Sequence, residues 1–153
     1  KFNMKLAVGS DEQTHLTDSV LQVLGKHGHE VELYGPLAGH TEYWPTVAEQ
    51  VAERVATSEV TEGILFCWTG TGVSIAANKV PGIRAALCND PETARGARLW
   101  NNANILCMSL RQTSEIVAEE IIDTWFRTAY QPNEEDDMCL EQVAALDNYN
   151  SHP

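Results

Sequence analysis

The chain has 153 residues, of which 43% are hydrophobic and 21% charged, and its formal net charge is −12. This length fits one domain with a sizeable core. The excess of negative charge disfavours nucleic acid and anionic membrane surfaces as partners. No apolar run approaches the ~20 residues that a membrane-spanning helix needs. We therefore expect one globular domain with neither nucleic acid nor membrane as a partner.

Strands and helices are predicted to alternate along residues 4–125. Short apolar runs, several of them ended by glycine or proline, predict strands at residues 4–9, 30–34, 63–67, 83–88 and 105–108. Apolar residues at helical spacing, or a proline suited to a first helical turn, predict helices near 16–24, 47–55, 72–78, 91–101 and 116–125. This order predicts an α/β fold: a Rossmann-like, three-layer α/β/α domain with a five-stranded parallel sheet. Ligands bind such sheets at the carboxyl ends of the strands.

The cysteines and histidines indicate neither a disulfide framework nor a metal site. No two cysteines form a CxxC pair, and three of the four lie in or at the end of predicted strands: Cys67, Cys88, Cys107 and Cys139. Such cysteines are typical of a reduced protein core. The histidines lack zinc-type spacing with them. We therefore expect a cytoplasmic protein without a bound metal.

The C-terminal segment differs in composition from the rest of the chain. After Arg127 there is no lysine or arginine, and residues 134–137 form the acidic run EEDD. Such a run is typical of a solvated surface. We expect an α/β domain at residues 1–130 and an acidic appendage at residues 131–153 that is not an independent domain and that carries a short helix near 138–146.

A glycine-rich loop follows the third predicted strand. Cys67 ends that strand, and Gly70 and Gly72 lie within the next five residues. Glycines let a backbone approach a ligand and direct successive N–H groups at a phosphate or an oxyanion. The same field stabilises a thiolate, which would make Cys67 a base. A plain turn after a core strand fits the same residues, and the loop alone does not choose between the two interpretations.

A longer motif connects this loop with a known family. Residues 67–88 read CWTGTGVSIAANKVPGIRAALC, which resembles the pattern C-G-T-G-x-G-x-S-I-A-A-N-K-x-x-G-I-R-A of the ribose-5-phosphate isomerase B / galactose-6-phosphate isomerase family. Gly9–Ser10–Asp11 and the stretch NNAN at 101–104 match in the expected order. The resemblance covers about residues 4–130 and identifies the chain as a divergent member of the sugar-phosphate isomerases.

The resemblance implies an aldose–ketose isomerase that acts on a sugar or sugar phosphate without a cofactor or metal. A base removes the proton α to the carbonyl, giving a cis-enediolate, and returns it to the adjacent carbon. Cys67 corresponds to that base and Thr69 to a threonine that helps open the sugar ring. The family's subunits pair so that each site borrows residues from its neighbour, which implies a homodimer or tetramer with shared active sites.

The resemblance also assigns residues to the substrate. Asp11 corresponds to a ligand of sugar hydroxyls, Asn101 to a site asparagine and Arg111 to an arginine near the substrate phosphate. Tyr43 resembles a site tyrosine of a D-Y-P segment, although Trp44 intervenes here before Pro45. The anion cradle corresponds to the loop and the helix start after it: Gly70, Thr71, Gly72 and Ser74.

Four departures from the family pattern fall on the substrate site. Glu12 replaces a phosphate-binding histidine, Trp100 replaces a ring-opening histidine, and Trp68 replaces a glycine. The C-terminal arginines that clamp phosphate are absent. Together these changes remove positive charge and add two indole rings suited to stacking on a sugar. We therefore expect Glu12, Trp68 and Trp100 to contact a substrate other than ribose 5-phosphate: a non-phosphorylated, modified or acyclic sugar.

Two alternatives remain at this stage. The first is ribose-5-phosphate isomerase activity with substituted phosphate ligands such as Arg111, Arg95 or Arg98. The second is a catalytically inactive sugar-binding or regulatory subunit. Retention of Cys67, Thr69 and the two loop glycines disfavours the second alternative, whereas Trp100 in place of histidine favours it.

Overall fold

The computed structural model describes residues 3–149 and shows alternating strands and helices. The strands are β1 Lys5–Ser10, β2 Glu30–Tyr34, β3 Glu62–Cys67, β4 Ala85–Leu87 and β5 Ile105–Ser109. The helices are α1 His15–Lys26, α2 Trp44–Ala56, α3 Thr71–Ala77, α4 Pro91–Asn101, α5 Glu115–Arg127 and α6 Glu134–Leu146. All ten elements predicted between residues 4 and 125 are therefore present.

The five strands form one sheet in the order β2-β1-β3-β5-β4, and every neighbouring pair is parallel. The chain places β2 on one side of β1 and β3 on the other, so the strand order reverses at β1. This arrangement confirms the predicted Rossmann-like α/β fold. It also puts the topological switch point, where such sheets bind ligands, between β1 and β3.

Helices cover both faces of the sheet because strand side chains alternate between the faces. In β3, Ile64 and Phe66 join the core layer formed with α1, α4 and α5. Leu65 and Cys67 join the opposite layer, formed with α2 and α3. The continuous apolar run of β3 thus serves two cores, and its last residue belongs to the α2/α3 layer.

Three local features differ from the sequence prediction. A short 3-10 helix at Gly35–Ala38 follows β2 and was not expected. Strand β4 contains only Ala85–Leu87, because the Arg84 amide donates to the Asn104 side chain at 2.8 Å. Helix α6 begins four residues earlier than expected, where Asn133 caps it by accepting from the Asp136 amide.

The structure bears on two further expectations, one about membrane-spanning helices and one about the cysteines. None of the helices formed by residues 3–149 is both long and apolar enough to cross a membrane. The four cysteines are free, and three of them are buried: Cys67, Cys88 and Cys107. The prediction that three of the cysteines belong to the core is therefore confirmed.

Candidate active site

The candidate site lies where β1, β3 and β5 end side by side. Ser10 pairs with Phe66, and Cys67 pairs with Ser109. Asp11, which follows Ser10, is therefore level with Cys67 on the neighbouring strand. Adjacent strands are ~4.8 Å apart, so the Asp11 and Cys67 backbones are neighbours. The register thus brings a carboxylate and a thiol to the switch point of the sheet.

The loop after Cys67 holds its shape through Gly70. This residue has a φ of 78° and caps the start of α3. A Cβ at this position would lie 2.5 Å from Leu87 Cδ1 and 3.1 Å from the Met108 carbonyl oxygen. Both the left-handed backbone and the close approach of β5 therefore require glycine.

Hydroxyl and amide groups gather along this loop. The Thr69 and Thr71 hydroxyl oxygens are 2.7 Å apart, and both side chains are exposed. The first amides of α3 have no acceptor within the helix. These donors face the carboxyl edge of the sheet, as an anion cradle requires. We call residues 69–72 the glycine cradle.

Cys67 is nearly buried, with 5% of its surface exposed. Its carbonyl oxygen accepts from the Leu110 amide, and the carbonyl oxygen of Trp68 accepts from the Arg111 amide, both at 3.0 Å. The Ser109 hydroxyl also donates to the Trp68 carbonyl at 3.0 Å. The turn after β5 is thereby fastened to the segment that carries the thiol.

Ser74, which the sequence also assigned to the anion cradle, lies beyond the glycine cradle in the middle of α3. Burial raises the pKa of the Cys107 thiol well above its usual range, and a hydrogen bond with the Ser74 side chain opposes that rise. The Ser74 hydroxyl therefore faces Cys107. This contact links the middle of α3 to β5.

Two carboxylates stand at the end of β1. Burial raises the pKa of Asp11, and the nearby Glu12 carboxylate raises it further. The Oδ1 atom of Asp11 is buried and has no hydrogen-bond partner among the described residues. The Ser10 hydroxyl donates to the Glu12 carbonyl and accepts from the Glu12 amide, which orders the turn. Asp11 thus keeps one buried acceptor without a donor among the described residues.

This arrangement can now be compared with known proteins. A sequence profile described as "Ribose/Galactose Isomerase" matches residues 6–143. The chain belongs to the ribose/galactose isomerase family. The resemblance inferred from residues 67–88 is confirmed, and so is the expectation of an aldose–ketose isomerase of the sugar-phosphate isomerase family.

Proteins named as isomerases of different sugar phosphates are similar to this chain. Ribose-5-phosphate isomerase B of Escherichia coli is 38% identical over 83% of this chain and 86% of its own length. The galactose-6-phosphate isomerase subunit LacB of Clostridium acetobutylicum is 33% identical over 94% of this chain and 83% of its own length. The structure of Clostridium thermocellum ribose-5-phosphate isomerase B superimposes with a TM-score of 0.89 at 36% identity, covering 96% of this chain and 99% of that one.

Two residues assigned to the site from sequence lie elsewhere in the chain. Trp100 and Asn101 end α4, just before β5 begins. Ile105 and Ser109 are four residues apart along β5, which is ~13 Å at ~3.3 Å per residue. Trp100 and Asn101 therefore lie near the amino ends of the strands, whereas Cys67 lies at the carboxyl ends. Within one chain they do not join the glycine cradle.

Trp100 and Asn101 instead line a groove of about 290 Å³ between the edge strand β4, helix α4 and helix α6. The Trp100 ring packs back on Gly96, where a Cβ would lie 2.7 Å from Cζ3. Even so, 54% of the Trp100 surface remains exposed. A large indole face at this edge is thus left open to solvent or to another molecule.

The arginines considered as substitute phosphate ligands occupy very different places. Arg98 is held by Glu62 at 3.1 Å and by the carbonyl oxygens of Ala103 and Thr128, so it is a structural residue and not a phosphate ligand. Arg95 is paired with Glu92 on the surface of α4. Arg111 is exposed beside Trp68, and it has no ion pair among the described residues.

Sequence reasoning did not assign Trp44 to the site. Its ring packs on Gly72 of the cradle, where a Cβ would lie 3.0 to 3.2 Å from three ring carbons. Tyr43, which was assigned, is the N-cap of α2 and is 85% exposed. The sequence did contain a signal, because Trp44 stands between Tyr43 and Pro45. The aromatic ring that contacts the cradle is therefore that of residue 44 and not that of residue 43.

Proposed function

We propose that this protein is an active aldose–ketose isomerase in which Cys67 is the catalytic base, and that its preferred substrate is a sugar other than ribose 5-phosphate. The observation that carries the proposal is the row at the switch point. There Cys67 lies level with Asp11 on the neighbouring strand and two residues before the glycine cradle. A base, a hydroxyl acceptor and oxyanion donors are the groups that a proton shift between two carbons needs.

In this mechanism the Cys67 thiolate removes the proton from the carbon next to the substrate carbonyl. The C–H electron pair forms the enediolate double bond, and the negative charge moves to the carbonyl oxygen. The amides of the cradle and the Thr69 hydroxyl stabilise that oxyanion, and Asp11 accepts hydrogen bonds from sugar hydroxyls. The hydroxyl proton of the enediolate moves to the former carbonyl oxygen, the protonated thiol returns its proton to the adjacent carbon, and the other oxygen becomes the new carbonyl, so no redox partner is consumed.

The charge around the site is the basis for the substrate part of the proposal. Asp11 and Glu12 are adjacent carboxylates, and Arg111 is the cation fastened beside the loop. A phosphate dianion near Glu12 would lose charge-assisted hydrogen bonds worth ~1.5–3 kcal/mol each. A sugar without a phosphate there, or a modified or acyclic sugar, avoids this repulsion.

Ribose 5-phosphate remains the second candidate substrate, because Arg111 is exposed and has no ion pair among the described residues. The names of the relatives leave the sugar open. They include a ribose-5-phosphate isomerase, a galactose-6-phosphate isomerase subunit and a D-erythrulose-4-phosphate isomerase.

We also propose that the working enzyme is a homodimer or tetramer with shared sites, in the cytoplasm. Trp100 and Asn101 cannot reach Cys67 within one chain, so their expected substrate contacts require a second copy. The exposed indole face of Trp100 is suited to such an interface. The free cysteines fit a reducing compartment.

The test combines binding and turnover on matched sugars. Purified protein is assayed for aldose–ketose conversion on ribose 5-phosphate, galactose 6-phosphate and their non-phosphorylated counterparts, and binding is followed by thermal shift. We expect turnover to be highest on a substrate other than ribose 5-phosphate. A higher kcat/KM on ribose 5-phosphate than on every other sugar would refute the substrate assignment.

Substitutions at two cysteines separate an enzyme from a binding subunit. Cys67→Ala should lower kcat by ~100-fold or more, because it removes the base, while sugar binding is retained. Cys88→Ala is the matched control, since Cys88 is a buried thiol of the opposite core layer and burial raises its pKa to about 12. Sugar binding without turnover in the wild-type protein would show a binding or regulatory subunit instead.

A further inference from the structure

Trp44 occupies a fixed place against the glycine cradle. Its Cε3, Cδ2 and Cζ3 atoms lie 3.0, 3.1 and 3.2 Å from the position that a Cβ of residue 72 would take. The benzene part of the indole is therefore in direct contact with the Gly72 α-carbon. Trp44 as a whole is 39% exposed, so its ring contacts Gly72 on one side and leaves other surface open.

The helix that carries Trp44 cannot shift easily, because glycines let it pack unusually close to the sheet. A Cβ on Gly9 would lie 2.5 Å from Val47, and a Cβ on Gly63 would lie 2.7 Å from Val51. Both valines are fully buried. Trp44 is one turn before Val47 on the same helix. The close seating of α2 therefore fixes where the indole lies.

The position of α2 also explains why the ring is at the site. Helix α2 follows β2 and the 3-10 helix, so it begins at the carboxyl edge of the sheet. Cys67 and Asp11 lie at this same edge. A bulky apolar ring thus stands beside a loop whose other groups are hydroxyls, amides and carboxylates.

We propose that Trp44 is a specificity-determining residue of the active site, which narrows the space beside the glycine cradle and disfavours a sugar whose phosphate must lie against the indole ring. This inference rests on the proposed function and deepens it by naming the residue that selects the substrate. The face of the indole has no hydrogen-bond donor, so a phosphate dianion that lies against the ring loses hydration that the ring does not replace. A sugar carbon bearing a hydroxyl or carbonyl is smaller and fits beside the ring.

Selectivity can be tested with two ligands that differ only in the phosphate: D-ribose and ribose 5-phosphate. In Trp44→Ala we expect the affinity ratio to move by ~10-fold or more towards ribose 5-phosphate, a size effect typical of a pocket wall. Trp44→Phe keeps a flat apolar ring and should shift the ratio less. Tyr149→Ala, which truncates an aromatic residue that is 75% exposed outside the cradle, should leave the ratio unchanged. An unchanged ratio in Trp44→Ala would overturn the proposal.

A double-mutant cycle tests the contact itself without relying on turnover. Gly72→Ala should lower the melting temperature in the wild-type background, because the new Cβ meets the ring of Trp44. The same change in a Trp44→Ala background should be neutral or stabilising, since alanine favours a helix over glycine. Equal effects in both backgrounds would refute the packing on which the proposal depends.

The outcomes distinguish this inference from the proposed function. If no sugar is turned over but the ribose to ribose 5-phosphate affinity ratio shifts in Trp44→Ala, the enzymatic proposal fails and the role of Trp44 stands. If turnover depends on Cys67 and the ratio does not shift, the reverse holds.

Discussion

A buried ion pair at the amino edge of the sheet gives a sharp test of how the fold is held together. Glu62 opens β3 and is 5% exposed. Its carboxylate is paired with Arg98 at 3.1 Å and accepts from the Trp125 indole N–H at 3.1 Å. The Arg98 guanidinium also lies 5.1 Å from the centre of the Trp125 ring. The three residues connect β3, α4 and α5.

Removing the cation should be strongly destabilising. In Arg98→Met the Glu62 carboxylate stays buried without its charge partner, and breaking a buried pair from one side costs ~3–5 kcal/mol. For a domain of this size 1 kcal/mol corresponds to ~2–4 °C. The melting temperature should therefore fall by about 6 to 20 °C.

The cost should also depend on pH. Burial raises the pKa of Glu62, and Arg98 and the Trp125 indole oppose that rise. Without Arg98 the pKa of Glu62 rises further. A carboxyl group whose pKa is raised in the folded state contributes less to protein stability as pH increases through that pKa. The stability difference between wild type and Arg98→Met should thus be smaller at pH 5 than at pH 8, measured by urea unfolding at both.

A second variant tests whether the stability is lost because the Glu62 carboxylate is unpaired or because side-chain packing is lost. Glu62→Gln/Arg98→Met removes both charges and keeps an acceptor for the Trp125 N–H, so it should recover more than half of the lost stability. If the double variant is no more stable than Arg98→Met, or if the loss does not depend on pH, the uncompensated carboxylate is not the cause and the reasoning is wrong.

Three further predictions concern single positions. Gly70→Ala should lower the melting temperature by more than 5 °C, because a φ of 78° and the contact with Leu87 both oppose a side chain; an unchanged melting temperature would contradict the observed loop. The Arg54 guanidinium lowers the pKa of Glu32 to about 2, so this pair's contribution should be present above pH ~4.5 and lost as pH falls towards 2; Glu32→Gln should flatten the acid side of the stability profile. Asp90→Ala removes the cap that accepts from the Thr93 amide at 2.7 Å and should cost ~1 kcal/mol in urea unfolding; Glu92→Ala, in the same turn, should cost less.

The order of strands and helices could be predicted from sequence because each has its own local period. The run from Gly63 to Cys67 is apolar without alternation, which is typical of a strand buried on both faces. The 3-10 helix after β2 and the shortness of β4 were missed. The start of β4 depends on a distant residue through the hydrogen bond from the Arg84 amide to Asn104. The 3-10 helix is closed by local bonds from the Gly39 and His40 amides, and Gly35–Pro36 indicated only the end of β2.

The glycine cradle and the cysteine before it were also readable from sequence, since Cys67, Gly70 and Gly72 are close neighbours in a single motif. Assigning Trp100 and Asn101 to the same site depended on the family's shared sites. The fold supports that assignment only across two copies, because α4 runs back from the carboxyl edge to the amino edge of the sheet. Arg98 was only one of three examples in the alternative with substituted phosphate ligands, and sequence does not show that Glu62 and two carbonyl oxygens already bind it.

The sequence by itself therefore determined the fold class, the family and the loop that carries the thiol, because these depend on periodicity and on residues adjacent in the chain. Only the tertiary structure decided which distant side chains meet. The parallel register placed Asp11 beside Cys67, and the close packing of α2 placed the Trp44 ring on Gly72. Such contacts depend on how strands pair and how near a helix approaches the sheet, and no local pattern of residues encodes either distance.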